Sequence, residues 1–453
     1  MTSFYVSAAH KSSGKTSVSI GLAGAMVKRG QSVQTFKRGP DYIDPIWLSA
    51  ASGKPCYNLD FNTQSPSEID RLFALKSKGA DISFVEGSKG LYDGVDVGGA
   101  DSNAALASQL SLPVLLVIDC KGMTRGIAPL LLGYQAFDEA INIAGVILNK
   151  TGSTRHQGKL RQAVENYTDI PVLGMISKSS AMEIPERHLG LTPANEMESA
   201  AKVIENMTRT VEEGVDLDAV MALGQKGSGG EAFDRAAQQL DVTIAIARDA
   251  AFGFYYPDDL EAFILAGAKL VFFDVLNDAE LPACDGLFIG GGFPETHLAK
   301  LTQNKSMRAS IRSALEAGLP CYAECGGLMY LSRSISYQGQ TAEMVGTIPG
   351  AITMSDRPQG RGLVKLQATV LSPWPFVAKS DGLLPAHEFH YAKLEGLPKG
   401  MRYAYDVKRG YGIDGDHDGL LIGNCLASFT HLRNSSRTPW VTAFVDFVRK
   451  HSR

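Results

Sequence analysis

The chain has 453 residues, 44% hydrophobic and 20% charged, with 44 basic against 48 acidic side chains and a formal net charge of −4. That is enough apolar material for about two or three packed domains at roughly 150 residues each, and it excludes a chain dominated by disorder. The balanced charge gives no electrostatic basis for a nucleic-acid or anionic-membrane partner, and no uncharged apolar run approaches the ~20 residues that cross a bilayer.

The first half alternates apolar runs with amphipathic stretches. Residues 4–8 read as a first strand and not as a signal peptide, since no basic segment leads into an apolar one. A loop with Gly14, Lys15 and Thr16 follows, then a helix over 17–28. Further strands are expected at 33–36, 82–85, 114–118 and 144–148. Continuous apolar runs of this length, separated by helical stretches, predict βαβ units and a mostly parallel sheet. Polar residues 208–213 and the Gly224–Gly230 stretch predict a linker over 206–241 between domains at 1–205 and 242–453. A second strand–loop–helix series is expected from 242–247, 269–273, 286–290 and 320–323. The six cysteines are spread out with no CxxC pair, which suggests neither a disulfide framework nor a zinc site and makes a reducing cytoplasm the expected compartment.

Two loops carry chemistry. In the first, Ser13, Gly14, Lys15 and Thr16 stand between a strand and a helix. A nucleotide phosphate needs backbone N–H groups at a helix N-terminus, a lysine for the β/γ charge and a hydroxyl for Mg²⁺. The first glycine of the usual phosphate loop is replaced by Ala9. Residues 37–45, with Lys37, Asp41, Tyr42 and Asp44, follow the second strand, and Glu86 follows the next. Ligands in open α/β sheets bind beyond the carboxyl ends of the strands, so these loops should converge, with Asp44 and Glu86 joining Thr16 as Mg²⁺ ligands. Asn149, at a later strand end, reads equally as a contact to a base edge or as an Asx turn.

The second loop holds Cys325 between a strand and Gly326-Gly327. Such a turn exposes the sulfur at a helix start, where the dipole favours thiolate, and Gly326 opens the backbone to an oxyanion. Gly291 and Gly292 end another strand and could donate as well. The histidine that would serve as base is open between His387, His390 and His431 on spacing alone.

These motifs, in this order, resemble the cobyrinic acid a,c-diamide synthase family. The resemblance rests on residues 13–16, 37–45, 58–60, 86–87, 90–94 and 186–191, then 290–295, 322–331, 387–391 and 427–431. It implies an α/β chain in two parts. The first is a P-loop NTPase-like, dethiobiotin synthetase-like amidoligase with a parallel sheet. The second is a class I glutamine amidotransferase of the triad type, with Cys325 as nucleophile and His431 as base. It also implies ATP, Mg²⁺, L-glutamine and a tetrapyrrole carrying acetate side chains, amidated through an acyl phosphate. Ammonia would pass between domains along a closed path, and a homodimer is one of the assemblies left open. Two positions depart from the pattern. Arg433 stands where many glutaminases carry glutamate, and Lys89 where cobalamin-pathway members carry an apolar residue. Lys89 points toward relatives that amidate siroheme or sirohydrochlorin for dissimilatory sulfite reductase, and is expected to bind a substrate carboxylate. The rival class is a P-loop ATPase with an inactive glutaminase-like regulatory domain.

Overall fold

The computed structural model describes residues 2–187, 190–226, 240–374 and 382–452. The chain divides into two compact units near residue 233, with Asn62–Gln64 grouped with the second.

In the first unit, strands β1 (Thr2–Ala8), β2 (Val33–Arg38), β3 (Tyr57–Leu59), β4 (Ile82–Glu86), β5 (Val114–Asp119), β6 (Ile143–Thr151) and β7 (Val172–Ser177) form one sheet. Its order is β3-β2-β4-β1-β5-β6-β7, and all these neighbours run parallel. The apolar runs are buried on both faces, as a sheet covered by helices on each side requires. Helix α1 (Lys15–Lys28) starts directly from the phosphate loop, and α2 (Ile43–Ser52) from the loop after β2.

The linker expected over 206–241 is helical in its first part. A helix over Ala200–Gly214 and another over Leu217–Ala222 belong to the first unit. Met207, Val211, Leu217 and Val220 are buried in the same core as Val18, Leu22 and Met26 of α1. Contact with α1 is close because glycines face it. A Cβ on Gly21 would lie 2.4 Å from Val211 and 2.7 Å from the Met207 carbonyl oxygen. Residues 227–239, which include Gly227–Gly230 of the expected linker, and His188 and Leu189 of the 186–191 match lie outside the described residues.

The second unit is only partly the strand–loop–helix series that its first strands suggest. Ala268–Phe273, Val242–Ala247, Gly286–Ile289, Cys321–Glu324 and Cys425–Ser428 are neighbours in that order and run parallel. The sheet then continues antiparallel through His417–Ile422, Arg402–Arg409, Gly360–Ala368 and Leu383–His390. The last of these curls back far enough for His387 to form a bridge with His431. Among the described residues no helix is long and apolar enough to cross a membrane.

Candidate active sites

The phosphate loop is shaped by three contacts. Gly14 takes the left-handed backbone (φ 84°) that favours glycine. The Ser13 hydroxyl donates to the His10 carbonyl at 2.8 Å. Asn149, at the end of β6, is tied to the phosphate loop itself. Its amide nitrogen donates to the Ser13 carbonyl at 2.9 Å, and a Cβ on Gly14 would lie 2.2 Å from that nitrogen. Asn149 thus fixes the loop from behind. Its neighbour Lys150 does the same, donating to the Ser12 carbonyl at 2.7 Å and pairing with Asp119 at 2.9 Å.

The carboxylates expected beside the loop converge on it. The Thr16 hydroxyl donates to Glu86 Oε1 at 2.8 Å and lies 3.3 Å from Asp44 Oδ2. Lys37 Nζ reaches the same two oxygens, at 2.5 Å from Asp44 and 2.8 Å from Glu86, with Asp41 at 3.9 Å. Parallel register produces this cluster, because Lys37 sits opposite Glu86 in the β2–β4 ladder. Burial alone would push the Lys37 ammonium down, but Asp44 and Glu86 outweigh it and hold it well above its ordinary range. Lys15 shifts the other way, lowered by burial and by the adjacent Lys37. Burial and the neighbouring Asp44 push Asp41 up to about 7. Asp41 also accepts from the Asp44 amide at 3.1 Å, beside Tyr42 at the start of α2.

Glu86 Oε2 is buried with no hydrogen-bond partner. With Thr16 Oγ1 and Asp44 Oδ2 it forms a set of hard oxygens that fits Mg²⁺. Among the described residues no cluster of three or more His, Cys, Asp or Glu could hold a metal ion, so a cation here would share its shell with a hydroxyl and phosphate. Lys89 is exposed and left-handed (φ 57°). Its loop is anchored instead by Asn103, whose amide nitrogen donates to the Ser88 and Gly90 carbonyls.

In the second unit, Cys325 joins the strand Cys321–Glu324 to the short helix Gly326–Leu331 at φ 47°, ψ −99°. A side-chain-bearing residue held there costs about 1–3 kcal/mol, and such strain gathers at reactive turns. The Cys325 amide donates to the Ser428 carbonyl at 2.7 Å, fixing the turn to the adjacent strand. A Cβ on Gly327 would lie 2.2 Å from the Ile289 carbonyl oxygen, and one on Gly326 would lie 3.0 Å from the Gly292 amide nitrogen. The expected oxyanion residues Gly292 and Gly326 are therefore packed backbone to backbone. Gly291 lies against His431, whose Cε1 is 2.7 Å from where its Cβ would be.

His431 is buried and hydrogen-bonded to Cys325. Burial works to lower its imidazolium pKa, but hydrogen bonds to Cys325 and Glu324 outweigh burial and raise it to about 10. His387 stacks on its ring at 4.9 Å between centroids, and burial holds His387 well below its ordinary range. His390 is placed elsewhere, stacked on Phe429 with Nδ1 2.9 Å from the Ala392 carbonyl. Arg433 is buried in an ion pair with Asp258 at 2.6 Å and lies over the Tyr256 ring. It takes no part in the Cys325–His431 contact. Glu324 escaped the reading of the sequence: its Oε2 lies 3.4 Å from His431 Nδ1. The only local signal was an acid next to the nucleophile.

Two family models match the chain. Residues 6–191 match the CobQ/CobB/MinD/ParA nucleotide binding domain, and residues 243–439 the CobB/CobQ-like glutamine amidotransferase domain. Among curated relatives, cobyrinate a,c-diamide synthase of Magnetococcus marinus is 43% identical over 98% of this chain and 97% of its own. The proteins of that name from Methanosarcina acetivorans and Caldanaerobacter subterraneus are 39% and 37% identical, over 94% and 98% of this chain and 91% and 97% of their own. A nucleotide-binding domain and a glutamine amidotransferase domain, matched along almost the whole length of such relatives, place this chain in the cobyrinate a,c-diamide synthase family as an amidating ligase that takes its nitrogen from glutamine.

Proposed function

We propose that the chain amidates acetate side-chain carboxylates of a tetrapyrrole, with cobyrinate as the substrate, at the expense of ATP and glutamine. One observation carries this reading: a strained Cys325 bonded to a buried His431 and a lysine–carboxylate phosphate site occur in one chain. The names of the full-length relatives support cobyrinate over siroheme or sirohydrochlorin. The amidoligase work is assigned to residues 1–205 and the glutaminase work to 242–453.

In the glutaminase half, Cys325 Sγ, its proton already passed to His431, attacks the side-chain amide carbon of glutamine, and the His431 imidazolium gives that proton to the leaving nitrogen. Ammonia departs, and water clears the thioester to glutamate. Backbone N–H groups at Gly292 and Gly326, with the backbone at Gly291, are assigned to stabilising the oxyanion. In the other half, the amides of Ser13 and Gly14 and the Lys15 ammonium hold the ATP phosphates. A substrate carboxylate attacks the γ-phosphorus, ADP leaves, and ammonia displaces phosphate from the acyl phosphate. Thr16, Asp44 and Glu86 would hold Mg²⁺, which supplies charge neutralisation on the β- and γ-phosphates. Lys37, Asp41, Tyr42 and Lys89 are assigned to binding the substrate carboxylate.

The test incubates the protein with ATP, Mg²⁺, glutamine and, separately, cobyrinate, sirohydrochlorin and siroheme, and weighs the products. Cobyrinate should gain two amides. Preferential turnover of either siroheme-type compound would move the chain to that branch, and no ATP-dependent amidation of any would refute the reading.

A further inference from the structure

We infer that Glu324, the residue before the nucleophile, is the positioning acid of the glutaminase site, holding the His431 ring so that its other nitrogen faces Cys325. This rests on the reading of Cys325 as nucleophile and His431 as base.

The strand Cys321–Glu324 pairs parallel with Cys425–Ser428, and Glu324 lies opposite Ser428. The chain continues for three residues past that point, which brings His431 over the Glu324 side chain. Both are about 3% exposed. The carboxylate is fixed by its far oxygen, because Oε1 accepts from the Tyr322 hydroxyl at 2.6 Å and from the Leu432 amide at 3.0 Å. Oε2 is then left facing His431 Nδ1 at 3.4 Å. That distance is at the long end for a hydrogen bond, and such contacts tighten when substrate is bound. Tyr322 is itself held rigid by stacking on Phe288 at 5.5 Å.

The surroundings fit an imidazolium with one acid. A buried cation needs a partner, or its desolvation is uncompensated. The charged and titratable groups around the ring are few. Glu324 and Cys325 come from the turn between the strand Cys321–Glu324 and the helix Gly326–Leu331. His387 comes from the strand Leu383–His390, stacked at an interplanar angle of 16° and linked to His431 by reciprocal backbone hydrogen bonds. Asp418, from the strand His417–Ile422, is occupied by the amides of Phe429 and Thr430 and by the Thr430 hydroxyl. Arg433, two residues beyond His431, is turned to Asp258. The position that carries the acid in other glutaminases is thus spent on a structural ion pair, and Glu324 supplies the carboxylate from the other side of the ring.

The experiment measures glutamine hydrolysis against pH for the wild-type chain, His431→Ala and Glu324→Gln, with ammonia-driven amidation as a check on the other half. His431→Ala should lose ~10²–10⁴-fold, as for one general base. Normal hydrolysis in that variant would overturn the base assignment itself. Glu324→Gln keeps shape and loses charge. It should lower kcat at least about tenfold with KM for glutamine little changed, and move the alkaline limb to lower pH by about one unit or more, because the imidazolium has lost its counter-charge. A residue that only packs would tolerate glutamine with the limb unmoved, and that result overturns the inference while leaving His431 as base. The unmodified protein gives a second reading that does not depend on the variant folding. With ¹⁵N-labelled histidine, the signal that disappears in His431→Ala should belong to a ring protonated at Nδ1. A bare Nδ1 would overturn the inference.

Discussion

The two candidate sites solve opposite electrostatic problems. In the first unit, two lysines and three acids crowd around a loop, and their charges are arranged to meet a polyanion and a divalent cation. In the second, a neutral histidine, one acid and one thiol surround a single imidazole beside a strained turn. The first site is made by register across strands that all run one way, and the second by a backbone conformation that a side-chain-bearing residue avoids. A site that works through charge needs convergent loops, and a site that works through a nucleophile needs one atom held and oriented, here the sulfur of Cys325, which is buried and not exposed as the turn had suggested.

The contrast can be broken most strongly at Glu86. Replacing it with Gln removes a buried oxygen that faces Thr16 and Lys37. ATP-dependent amidation should fall by ~10²–10³ with either glutamine or ammonia as donor, while glutamine hydrolysis persists. Parallel assays of amidation and of glutamate release read this directly, and a normal amidation rate would remove Glu86 from the site.

Gly21→Ala sharpens the comparison through stability. The added methyl would meet the Met207 carbonyl oxygen, a backbone atom that cannot swing away. The cost should be about 1–3 kcal/mol, read as a lower urea midpoint for the transition that removes ATP binding. Glutamine hydrolysis in native buffer should be unaltered.

A smaller effect follows from His431, whose folded-state pKa of about 10 lies above the ordinary value near 6.5. The native state binds this proton more tightly than the unfolded chain does. Its contribution to stability is therefore complete below about pH 6.5 and is lost as pH rises through about 10. The urea midpoint of wild type relative to His431→Gln should narrow steadily between pH 7 and 10. A constant difference over that range would contradict the raised value.

How much of this was legible depended on distance along the chain. Gly14, Lys15 and Thr16, and likewise Cys325-Gly326-Gly327, are local patterns whose chemistry is visible in a few residues. Asp44 and Glu86 were reached through the rule that strand ends converge, and the structure places both against Thr16. Residues 206–214 of the helix Ala200–Gly214 were read as linker because its apolar residues Met207 and Val211 are spaced among polar neighbours, and its partner is a pair of glycines nearly two hundred residues earlier. The antiparallel strands of the second unit were missed for a related reason. Gly360–Ala368 alternates buried with exposed positions and carries no continuous apolar run. Asn149 was placed at the right loop, but its bond to the Ser13 carbonyl was not foreseen, since sequence shows that a side chain is polar but not which carbonyl it meets. Glu324 was invisible in another way. Its neighbour in sequence is the nucleophile, but its partner His431 is brought to it only by the pairing of Cys321–Glu324 with Cys425–Ser428.

The most direct test of two separate chemistries in one chain is the donor-split assay on wild type, Cys325→Ser and Lys15→Ala, following amidated cobyrinate and released glutamate together. Cys325→Ser should lose glutamate release and glutamine-driven amidation while keeping ammonia-driven amidation. Lys15→Ala should lose amidation with either donor and still release glutamate. Folded variants that each lose both activities would contradict the separation.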